Sequence, residues 1–472
     1  MVIGAGISGL ACAFRLKQLG IEPLVLESTH RAGGFIETIR KNDCLFEAGP
    51  QCPRFPEALW KLVRDLRLEN EFVAGDPKAK RYIFRQGRLH LVPFTPGGLI
   101  RTTVVDFRSK LRFLADVFGH TSPPNHEESL SEFVDRKFGA EIADYLADPL
   151  ISTIFVADPG KMGMGSAFPQ LVEWERTHGS LIRGALAARK SSQNKAGPRQ
   201  PSAPKKPQTK SEKLRVTDAL PSLGSFKSGM GALPEALAQE LRENIRYEQA
   251  AASVSLSQPD NGAPNDGWSI RLNDGGAIHA HSLVLAVPAF VAASQLEQCA
   301  PELASLLGAI EYSPVCVVGA AYDRAALSRP LDGFGFMVPR REGMETIVTF
   351  SNSWLFEGRA PSGNFLLTSF AGRDPRSTLF TATEEQCAQM VHSENARVLG
   401  IAAEPTDGAV WRHTRAMPQY NVGHARRVAQ INDLLPGLPN LQLAGNYLTG
   451  RSIGDCVQIG FRIAENVHSR YP

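Results

Sequence analysis

Three glycines near the start of the chain have the spacing of a nucleotide-binding turn. Gly4, Gly6 and Gly9 form a G-x-G-x-x-G motif directly behind a short apolar stretch. Such glycines permit a tight turn and let the backbone approach a pyrophosphate, which then lies at a helix N-terminus. Glu27 follows close to the offset of about 20 residues expected for the carboxylate that binds a ribose 2′-OH. The pattern predicts a helix over 7–19 and a site for a cofactor that contains ADP.

Two further glycine-rich stretches favour FAD over NAD. Arg31 is followed by the pair Gly33-Gly34, where the backbone can pass close to a bound cofactor and which a plain NAD site does not need. Near the C-terminus, a strand runs into a glycine-rich turn and then into a helix that opens at Gly454-Asp455. A helix N-terminus can stabilise negative charge on a reduced flavin. We therefore expect both ends of the chain to meet at one flavin.

Composition argues against several other classes of protein. A length of 472 residues exceeds the usual size of a single core, so two or three structural units are expected. The net charge of +3 is too small to favour a nucleic-acid binder, and the seven cysteines are dispersed without metal-ligand spacing, as suits a reducing compartment. The sequence has no apolar run of the length that a membrane span needs, and it starts at the first strand, so no signal peptide is expected.

Residue periodicity predicts the elements that must position this chemistry. A hairpin is expected at 82–92, with Arg81 at its entrance among other cations. Residues 100–190 read mostly as helices, with basic residues beside Phe and Leu, and this combination suits either a membrane interface or an ordinary helical subdomain. The stretch 190–213 is rich in Pro, Ser and Lys and predicts disorder. Residues 304–412 alternate strands with one helix, which indicates a mixed sheet.

Taken together, these residues resemble the protoporphyrinogen oxidase family, within the larger FAD amine-oxidase-like superfamily. The resemblance covers nearly the whole chain and rests on motifs in this order: VIGAGISGL, LES-x-x-R-x-GG, FEAGP, KRYIF, PLISTIFVADP, FKSGMGALPEAL, GFGFMVP, LFEGRAP, MPQYNVGH and GNYLTGRSIGDCVQIG. Each motif is modest alone, but their succession is specific.

The resemblance implies a mixed α/β fold of three domains. The implied domains are a Rossmann-like FAD-binding domain made of non-contiguous segments (1–75, 220–300 and 412–472), a mixed-sheet substrate domain (76–100 and 301–411) and a helical membrane-binding domain (101–189). A Lys/Pro/Ser-rich linker is expected at 190–219.

The reaction implied is oxidation of protoporphyrinogen IX to protoporphyrin IX in heme biosynthesis, by non-covalently bound FAD. Six electrons leave in three two-electron steps, and O2 reoxidises the flavin to give H2O2. The flavin carries the chemistry, so neither a catalytic side chain nor a metal is expected. The implied protein is cytoplasmic, binds the cytoplasmic membrane peripherally, binds no nucleic acid and leaves a homodimer open.

Site residues follow from the same resemblance, position by position. The residues implied for the substrate are Arg81 against a propionate, Thr153, Phe334, Gly335 and Met337 along the macrocycle, and Phe370 on a pyrrole ring. A planar guanidinium suits a carboxylate bidentately. The residues implied for the cofactor are Gly4, Ala5, Gly6, Ile7, Ser8, Gly9, Glu27, Ser28, Arg31, Gly33, Gly34, Phe35, Gly49, Pro50, Gln51, Cys52, Ala251 through its backbone, Asn446, Arg451, Ser452, Ile453 and Asp455.

Two departures from the family pattern keep alternatives open. Thr153 and Ala157 stand where the family has glycines, one of them against the substrate, and the added bulk can shift the substrate. The nearest alternative is coproporphyrinogen III as substrate, with four propionates instead of two. More distant alternatives are a flavin amine oxidase, a carotenoid desaturase, and a flavin-binding protein without catalysis.

Overall fold

The computed structural model describes residues 1–93, 96–116, 118–119, 124–195, 223–257, 267–328 and 331–471. The strands are β1 (Val2–Ile3), β2 (Val25–Leu26), β3 (Thr38–Lys41), β4 (Cys44–Glu47), β5 (Phe72–Ala74), β6 (Arg81–Arg85), β7 (Arg88–Leu91), β8 (Gly224–Phe226), β9 (Ile245–Arg246), β10 (Ala251–Leu256), β11 (Trp268–Leu272), β12 (Ala277–Ala280), β13 (Leu283–Leu285), β14 (Tyr312–Asp323), β15 (Gly335–Met337), β16 (Thr346–Ser351), β17 (Asn364–Ala371), β18 (Asp407–Pro418) and β19 (Leu441–Leu443).

The helices divide into an N-terminal set, a helical block and a C-terminal set. They are α1 (Ile7–Gln18), α2 (Glu57–Asp65), α3 (Pro96–Arg101), α4 (Phe107–Ala115), α5 (Leu130–Phe138), α6 (Ala140–Ile142), α7 (Asp148–Phe155), α8 (Met164–Ala167), α9 (Pro169–His178), α10 (Leu181–Lys195), α11 (Ala232–Glu240), α12 (Ala289–Leu296), α13 (Pro301–Gly308), α14 (Asn352–Leu355), α15 (Glu384–Leu399), α16 (His424–Leu434) and α17 (Ile453–His468).

A five-stranded parallel sheet gathers segments from both ends and the middle of the chain. Its strand order is β19-β13-β1-β2-β9, and all four neighbouring pairs are parallel. Strands buried on both faces read as short apolar runs, as Val2-Ile3 and Leu283–Leu285 do. Residues of α1, α2, α11 and α17 share one core cluster with this sheet, and residues of α12, α13 and β10–β12 share another. The predicted mixed α/β class with a Rossmann-like sheet is confirmed.

Helices α1 and α17 bring the two chain ends together. A side chain at Gly460 of α17 would lie 2.6 Å from the Ser8 carbonyl oxygen and 2.8 Å from the Cys12 nitrogen, so glycine lets the two helix backbones pack closely. Ser8 and Cys12 lie in the first turns of α1, directly behind the glycine motif. The C-terminal helix therefore lies against the predicted pyrophosphate site.

A seven-stranded mixed sheet forms the second layer, in the order β18-β14-β17-β16-β15-β6-β7. The pair β15–β6 is parallel and the other neighbours are antiparallel. Helix α15 covers one face, where Val391 and Val398 are buried against strand residues. The predicted mixed sheet with one covering helix, and the predicted hairpin with its turn at Gln86-Gly87, are both confirmed.

A buried ion network fastens the helical block at 101–189. Lys137 and Arg136 of α5 both contact Glu175 of α9 at 2.9 Å, and the side chains of Lys137 and Glu175 are each 1% exposed. Asp116, just beyond α4, accepts hydrogen bonds from the Ser180 hydroxyl at 2.8 Å and from Lys137 at 3.2 Å. Breaking a buried pair on one side costs about 3–5 kcal/mol, so these contacts fix α4, α5 and α9 relative to one another.

The predicted linker begins too early. Helix α10 continues to Lys195, so its last turns occupy the start of the segment predicted as a linker at 190–219; leucine- and alanine-rich turns before it extend the helix past the change in composition. The remainder, 196–219, lies outside the described residues. No described helix has both the length and the apolar composition that crossing a bilayer requires.

Candidate active site

The three motif glycines serve two different purposes. A Cβ on Gly4, which has φ +102, would lie 2.5 Å from the Ala286 carbonyl oxygen, and a Cβ on Gly9 would strike the Gly4 carbonyl oxygen. These two glycines are required by the packing of α1 on the sheet. A Cβ on Gly6 would meet no protein atom within 4 Å. Gly6 is also the N-cap of α1, whose first turn has neither a side-chain cap nor an acidic residue. The open space and the uncapped helix fit a pyrophosphate.

Glu27 lies at the end of β2 and is held in place by its neighbours. One carboxylate oxygen accepts the Ala5 N–H at 2.9 Å, and the other accepts the Thr29 N–H and hydroxyl, both at 2.9 Å. The Gln249 N–H donates to the Glu27 carbonyl at 2.9 Å, which brings the start of β10 at Ala251 to the same edge. The structure thus groups Glu27, Ser28 and Ala251 at one edge of the parallel sheet.

The segment after Glu27 folds back onto the glycine motif. The Gly33 N–H donates to the Ala5 carbonyl at 2.8 Å, and Gly33 forms a parallel bridge with Gly6. Arg31 donates to the Gly34 carbonyl at 2.8 Å and pairs with Glu37 at 3.2 Å. These contacts engage several N–H donors of the Arg31 guanidinium and hold the loop in place. The predicted residues at 31–34 therefore border the same space as Gly6.

The loop after β4 carries the predicted residues 49–52. A Cβ on Gly49 would strike the Phe35 carbonyl oxygen, so glycine permits this loop to pass against the preceding one. Phe35, which is 42% exposed, makes an edge contact with His413 at 4.9 Å. The His413 Nε2 lies 3.1 Å from the Ala48 carbonyl oxygen, and burial lowers the pKa of this histidine. Phe35 and the loop at 49–52 are thus packed side by side.

Two buried tethers hold that loop, and sequence reasoning missed both. Asn352 donates to the Gln51 side-chain oxygen at 2.7 Å, while the Gln51 amide nitrogen donates to the Gly49 carbonyl at 2.8 Å. The Gln51 amide is therefore engaged in hydrogen bonds that hold the loop. Burial raises the pKa of the Cys52 thiol to about 12, which keeps it protonated.

The second tether joins Glu47 to Arg359. Their side chains are 3% and 2% exposed, and Arg359 Nη1 lies 3.6 Å from Glu47 Oε1. Glu47 also accepts the Met230 N–H at 2.8 Å and the Thr38 hydroxyl at 2.5 Å. Burial raises the pKa of Glu47 to about 7, against the lowering effects of Arg359, Thr38 and Met230. No residue spacing in the sequence pairs this acid with so distant an arginine.

At the other chain end, the predicted residues surround the start of α17. The Asp455 carboxylate accepts both the Ser452 N–H at 3.0 Å and the Ser452 hydroxyl at 2.7 Å, and so closes a capping box. Asn446 accepts the Tyr420 hydroxyl through its carbonyl at 2.6 Å. The Arg451 guanidinium lies between two aromatic rings, as described below. Ile453 is buried in the core cluster that contains α1.

The predicted substrate residues lie together on the seven-stranded sheet. Arg81 pairs with Gly335 across the parallel β6–β15 contact, and its guanidinium lies 4.5 Å from the Phe334 ring centroid. Phe334 contacts Phe350 at 5.5 Å, and Phe350 contacts Phe370 at 5.3 Å. Burial is the main cause that lowers the pKa of Arg81. We call the three rings of Phe334, Phe350 and Phe370 the aromatic row, at the end of which Arg81 lies. Phe350 was not predicted.

Two predicted substrate residues have structural explanations of their own. Gly335 has φ +142, and a Cβ there would strike the Thr349 carbonyl oxygen, so the sheet itself requires glycine. Met337 is 5% exposed and shares a core cluster with Phe350, behind the aromatic row.

Thr153 lies on α7, which packs against β15 and β16. Its hydroxyl donates to the Pro149 carbonyl at 2.8 Å and is thereby satisfied within the helix. Ala157 is 3% exposed, and its carbonyl accepts Arg340 at 3.3 Å. Val156 lies between these two residues in sequence and is the C-cap of α7. It adopts a left-handed conformation at φ 47, which is rare for a β-branched residue. Thr153 and Ala157 thus fit the helix and the core without an unsatisfied polar group.

A family model described as flavin containing amine oxidoreductase matches residues 7–468. The chain belongs to this family. It is 30% identical over 483 residues to the chloroplastic protoporphyrinogen oxidase of Nicotiana tabacum, which covers 99% of this chain and 85% of the relative. It is 26% identical over 477 residues to the coproporphyrinogen III oxidase of Bacillus subtilis strain 168, with 98% and 96% covered. The predicted family resemblance is confirmed.

The fold is also similar to that of solved structures of related proteins. A solved structure from Exiguobacterium sp. 255-15, provisionally assigned as a protoporphyrinogen oxidase, superposes with a TM-score of 0.80 at 22% identity and covers 99% of this chain and 98% of its own. Membership of the family makes the chain a flavoprotein oxidoreductase with FAD as its cofactor, as predicted. The open space at Gly6 and the uncapped start of α1 fit that cofactor.

Proposed function

We propose that this chain oxidises protoporphyrinogen IX to protoporphyrin IX in heme biosynthesis, with bound FAD as electron acceptor and O2 as the oxidant that regenerates it. The observation that carries the proposal is the aromatic row, in which three phenylalanine rings in edge contact lead up to the half-buried guanidinium of Arg81. A porphyrinogen is a broad apolar macrocycle with carboxylates on one edge, and this surface complements it. The similarity to curated protoporphyrinogen oxidases supports the same substrate.

On the cofactor side, each group of residues has a distinct task. We assign the pyrophosphate to Gly6 and the start of α1, because that space is open and the helix is uncapped. Glu27 is assigned to a ribose hydroxyl; its Oε1 accepts three hydrogen bonds from Ser28 and Thr29, while Oε2, which accepts the Ala5 N–H, retains a lone pair. The loops at 33–35 and 49–52 are assigned to the flavin ring, as is the turn at 446–453. FAD, when bound, supplies the hydride acceptor.

On the substrate side, the contribution of the chain is to position the substrate. Arg81 anchors a propionate by charge-assisted hydrogen bonds, while Phe334 and Phe370 orient the macrocycle and exclude water. Met337 backs this surface, and Thr153 borders it from α7. Holding a reacting carbon against the cofactor replaces a bimolecular encounter by a unimolecular step.

Coproporphyrinogen III is the second candidate, because the chain also resembles the Bacillus coproporphyrinogen III oxidase over nearly its full length. That substrate carries four propionates and calls for more cations at the edge of the macrocycle. Arg359 does not supply one, since its guanidinium is buried and bonded to Ser225, Phe226 and Glu47. Protoporphyrinogen IX remains the first candidate because the chain is 30% and 31% identical to two curated protoporphyrinogen oxidases.

A parallel kinetic comparison tests the substrate. Purified protein is given each porphyrinogen in turn, and porphyrin fluorescence is followed against an enzyme-free control for autoxidation. We expect a kcat/KM at least tenfold higher for protoporphyrinogen IX. A preference for coproporphyrinogen III would transfer the proposal to the second candidate, and no fluorescence gain above the control with either substrate would exclude both.

We further propose that the protein is cytoplasmic and binds an anionic membrane surface through α4. Along this helix and just beyond it, Phe107, Leu111, Leu114 and Phe118 are exposed, with Phe107 at 72% and Phe118 at 86%. Exposed arginines, Arg108 and Arg112, accompany them. Apolar side chains that reach the acyl boundary beside cations that face anionic headgroups are typical of an interfacial helix. An apolar substrate would then reach the protein from the lipid.

A further inference from the structure

Arg451 has an unusual environment for a charged residue. Its guanidinium carbon lies 3.2 Å from the ring centroid of Phe155 and 4.1 Å from that of Tyr420. The two rings come from different parts of the fold, the end of α7 and the segment after β18. Cation–π contacts of this kind hold a guanidinium in one orientation. The side chain is therefore positioned by two elements that are distant in sequence.

Within the described residues, this guanidinium lies close enough to the Asp455 carboxylate for its charge to oppose the effect of burial, but it is not bonded to that carboxylate. It makes no ion pair and donates no hydrogen bond there, and Nη1 is buried without a partner. Burial lowers the pKa of Arg451 to about 10, so the cation persists at neutral pH although its surroundings disfavour it. A buried cation costs free energy unless an anion or a strong dipole meets it. Two aromatic faces offset only part of that cost.

The neighbouring residues belong to the proposed cofactor site. Ser452 follows directly as the N-cap of α17, and Tyr420, which stacks on Arg451, donates to the carbonyl of Asn446. The Asp455 carboxylate already caps the start of α17 and opposes its positive helix dipole. The helix terminus alone is thus a weak source of positive charge at this point, and the cation present is Arg451.

We propose that Arg451 is positioned to stabilise the negative charge that the bound flavin acquires on reduction. Transfer of a hydride from a substrate carbon adds two electrons and one proton to the flavin, which gains one negative charge. The substrate loses the hydride and then a pyrrole N–H proton to water, and O2 with two protons later takes the electron pair as H2O2. A fixed cation beside the flavin favours the charged form and raises its midpoint potential. This inference rests on the FAD site proposed above but not on the identity of the substrate.

The test is the midpoint potential of the bound flavin, measured by reduction against a reference dye without any porphyrinogen. We expect Arg451→Met to lower the potential by at least one tenfold change in the reduction equilibrium, which is about 30 mV for a two-electron couple. Arg451→Lys should recover most of the shift. Arg415→Met is the matched control, because Arg415 also stacks on an aromatic ring, Phe290, at 4.7 Å but on the exposed side of β18.

A second variant, for which we expect a potential shift in the opposite direction, tests the proposal even where Arg451→Met does not fold. Asp455→Asn keeps a capping oxygen but removes the negative charge, and we expect it to raise the potential. Sulfite affinity of the oxidised protein should follow the same order, because the sulfite adduct also places negative charge on the flavin. Unchanged potentials in Asp455→Asn and in every folded Arg451 variant would overturn the proposal, and so would a lowered melting temperature as the sole effect. A raised KM for porphyrinogen at unchanged potential would assign Arg451 to a substrate carboxylate and overturn it too.

Discussion

The motif glycines differ in what they contribute, and the difference is testable. Gly6 has φ −71, which other residues adopt freely, and a Cβ there meets no protein atom within 4 Å. At Gly9, by contrast, the Gly4 carbonyl oxygen occupies the space that a Cβ would need. Glycine at position 6 therefore keeps space for a ligand, while glycine at position 9 keeps space for the fold.

We expect Gly6→Ala to fold with an unchanged apoprotein melting temperature but to bind FAD at least tenfold more weakly, because the new methyl group occupies the proposed pyrophosphate space. Flavin fluorescence during titration of apoprotein measures the affinity. Gly437→Ala is the control, since its Cβ also meets nothing within 4 Å, away from the site. Unaltered FAD affinity in Gly6→Ala would contradict the assignment of the pyrophosphate to this turn.

Arg81 should act on substrate binding more than on turnover. A hydrogen bond to a charged group contributes roughly 1.5–3 kcal/mol, so Arg81→Ala should raise KM about 10- to 100-fold while kcat falls by less. Steady-state porphyrin fluorescence gives both constants. Arg324→Ala removes an arginine that stacks on Phe365 at 5.8 Å elsewhere and should leave KM unchanged. Should KM stay constant in Arg81→Ala, the residue does not bind a propionate.

At this scale, sequence patterns identified residues whose neighbours lie close in sequence. The glycine motif, Glu27 and the basic strand entrance at Arg81 each carry a local signal. Asn352 and Arg359 carry none, because Asn352 meets Gln51 across 301 residues and Arg359 meets Ser225 across 134. Such polar tethers depend on the assembled fold and cannot be deduced from residue spacing alone.

Among the elements, β4 is fastened by a buried acid with an unusual titration. Glu47 links β4 to the turn before α11 through the Met230 N–H and to Arg359 beyond α14. Its pKa in the folded protein is about 7, above the ordinary value of a glutamate. The folded state thus binds this proton more tightly than the unfolded chain does, and the associated stability is present at low pH and lost as pH rises towards 7.

We expect the unfolding free energy to fall by roughly 3 kcal/mol from this group between about pH 4.5 and 7, because one pKa unit corresponds to about 1.4 kcal/mol. Glu47→Gln should flatten that part of the pH profile, as measured by denaturant unfolding across this range. Glu57→Gln is the control, since Glu57 is 73% exposed. A profile in Glu47→Gln that keeps the wild-type slope would show that Glu47 is already ionised at low pH in the folded protein.

Elements with strong local signals were predictable, and their boundaries were less so. The 3.6-residue periodicity identified the helical block, and the turn residues Gln86 and Gly87, both with positive φ, identified the hairpin. The linker was placed too early because composition changes near residue 190 while α10 runs to Lys195. Backbone hydrogen bonding continues a helix past residues that disfavour it only slightly.

For the whole molecule, the chain ends meet because α17 packs along α1, and the aromatic row lies on a separate sheet. Under the proposed function, the macrocycle would reach the flavin between these two layers, and the exposed residues of α4 form the surface that we propose for membrane contact. This arrangement depends on long-range packing, which residue spacing predicts only through the family resemblance.

Replacement of Phe107 and Phe118 together by Ser should reduce binding to anionic vesicles about tenfold or more, because each exposed ring contributes on the order of 1.5–3 kcal/mol when it leaves water. Vesicle sedimentation at low and high salt measures the effect, and salt should weaken wild-type binding. Trp354→Ser is the control for loss of an exposed aromatic, at 41% exposure on α14. Equal binding of the double variant and the wild type would place membrane contact elsewhere or remove it.

The most direct test of the central claim is anaerobic mixing of the FAD-loaded protein with protoporphyrinogen IX. We expect the oxidised flavin absorbance to be lost without O2 and, once O2 is admitted, to return together with porphyrin fluorescence and H2O2. A flavin that dithionite reduces but that protoporphyrinogen IX leaves oxidised would contradict the account.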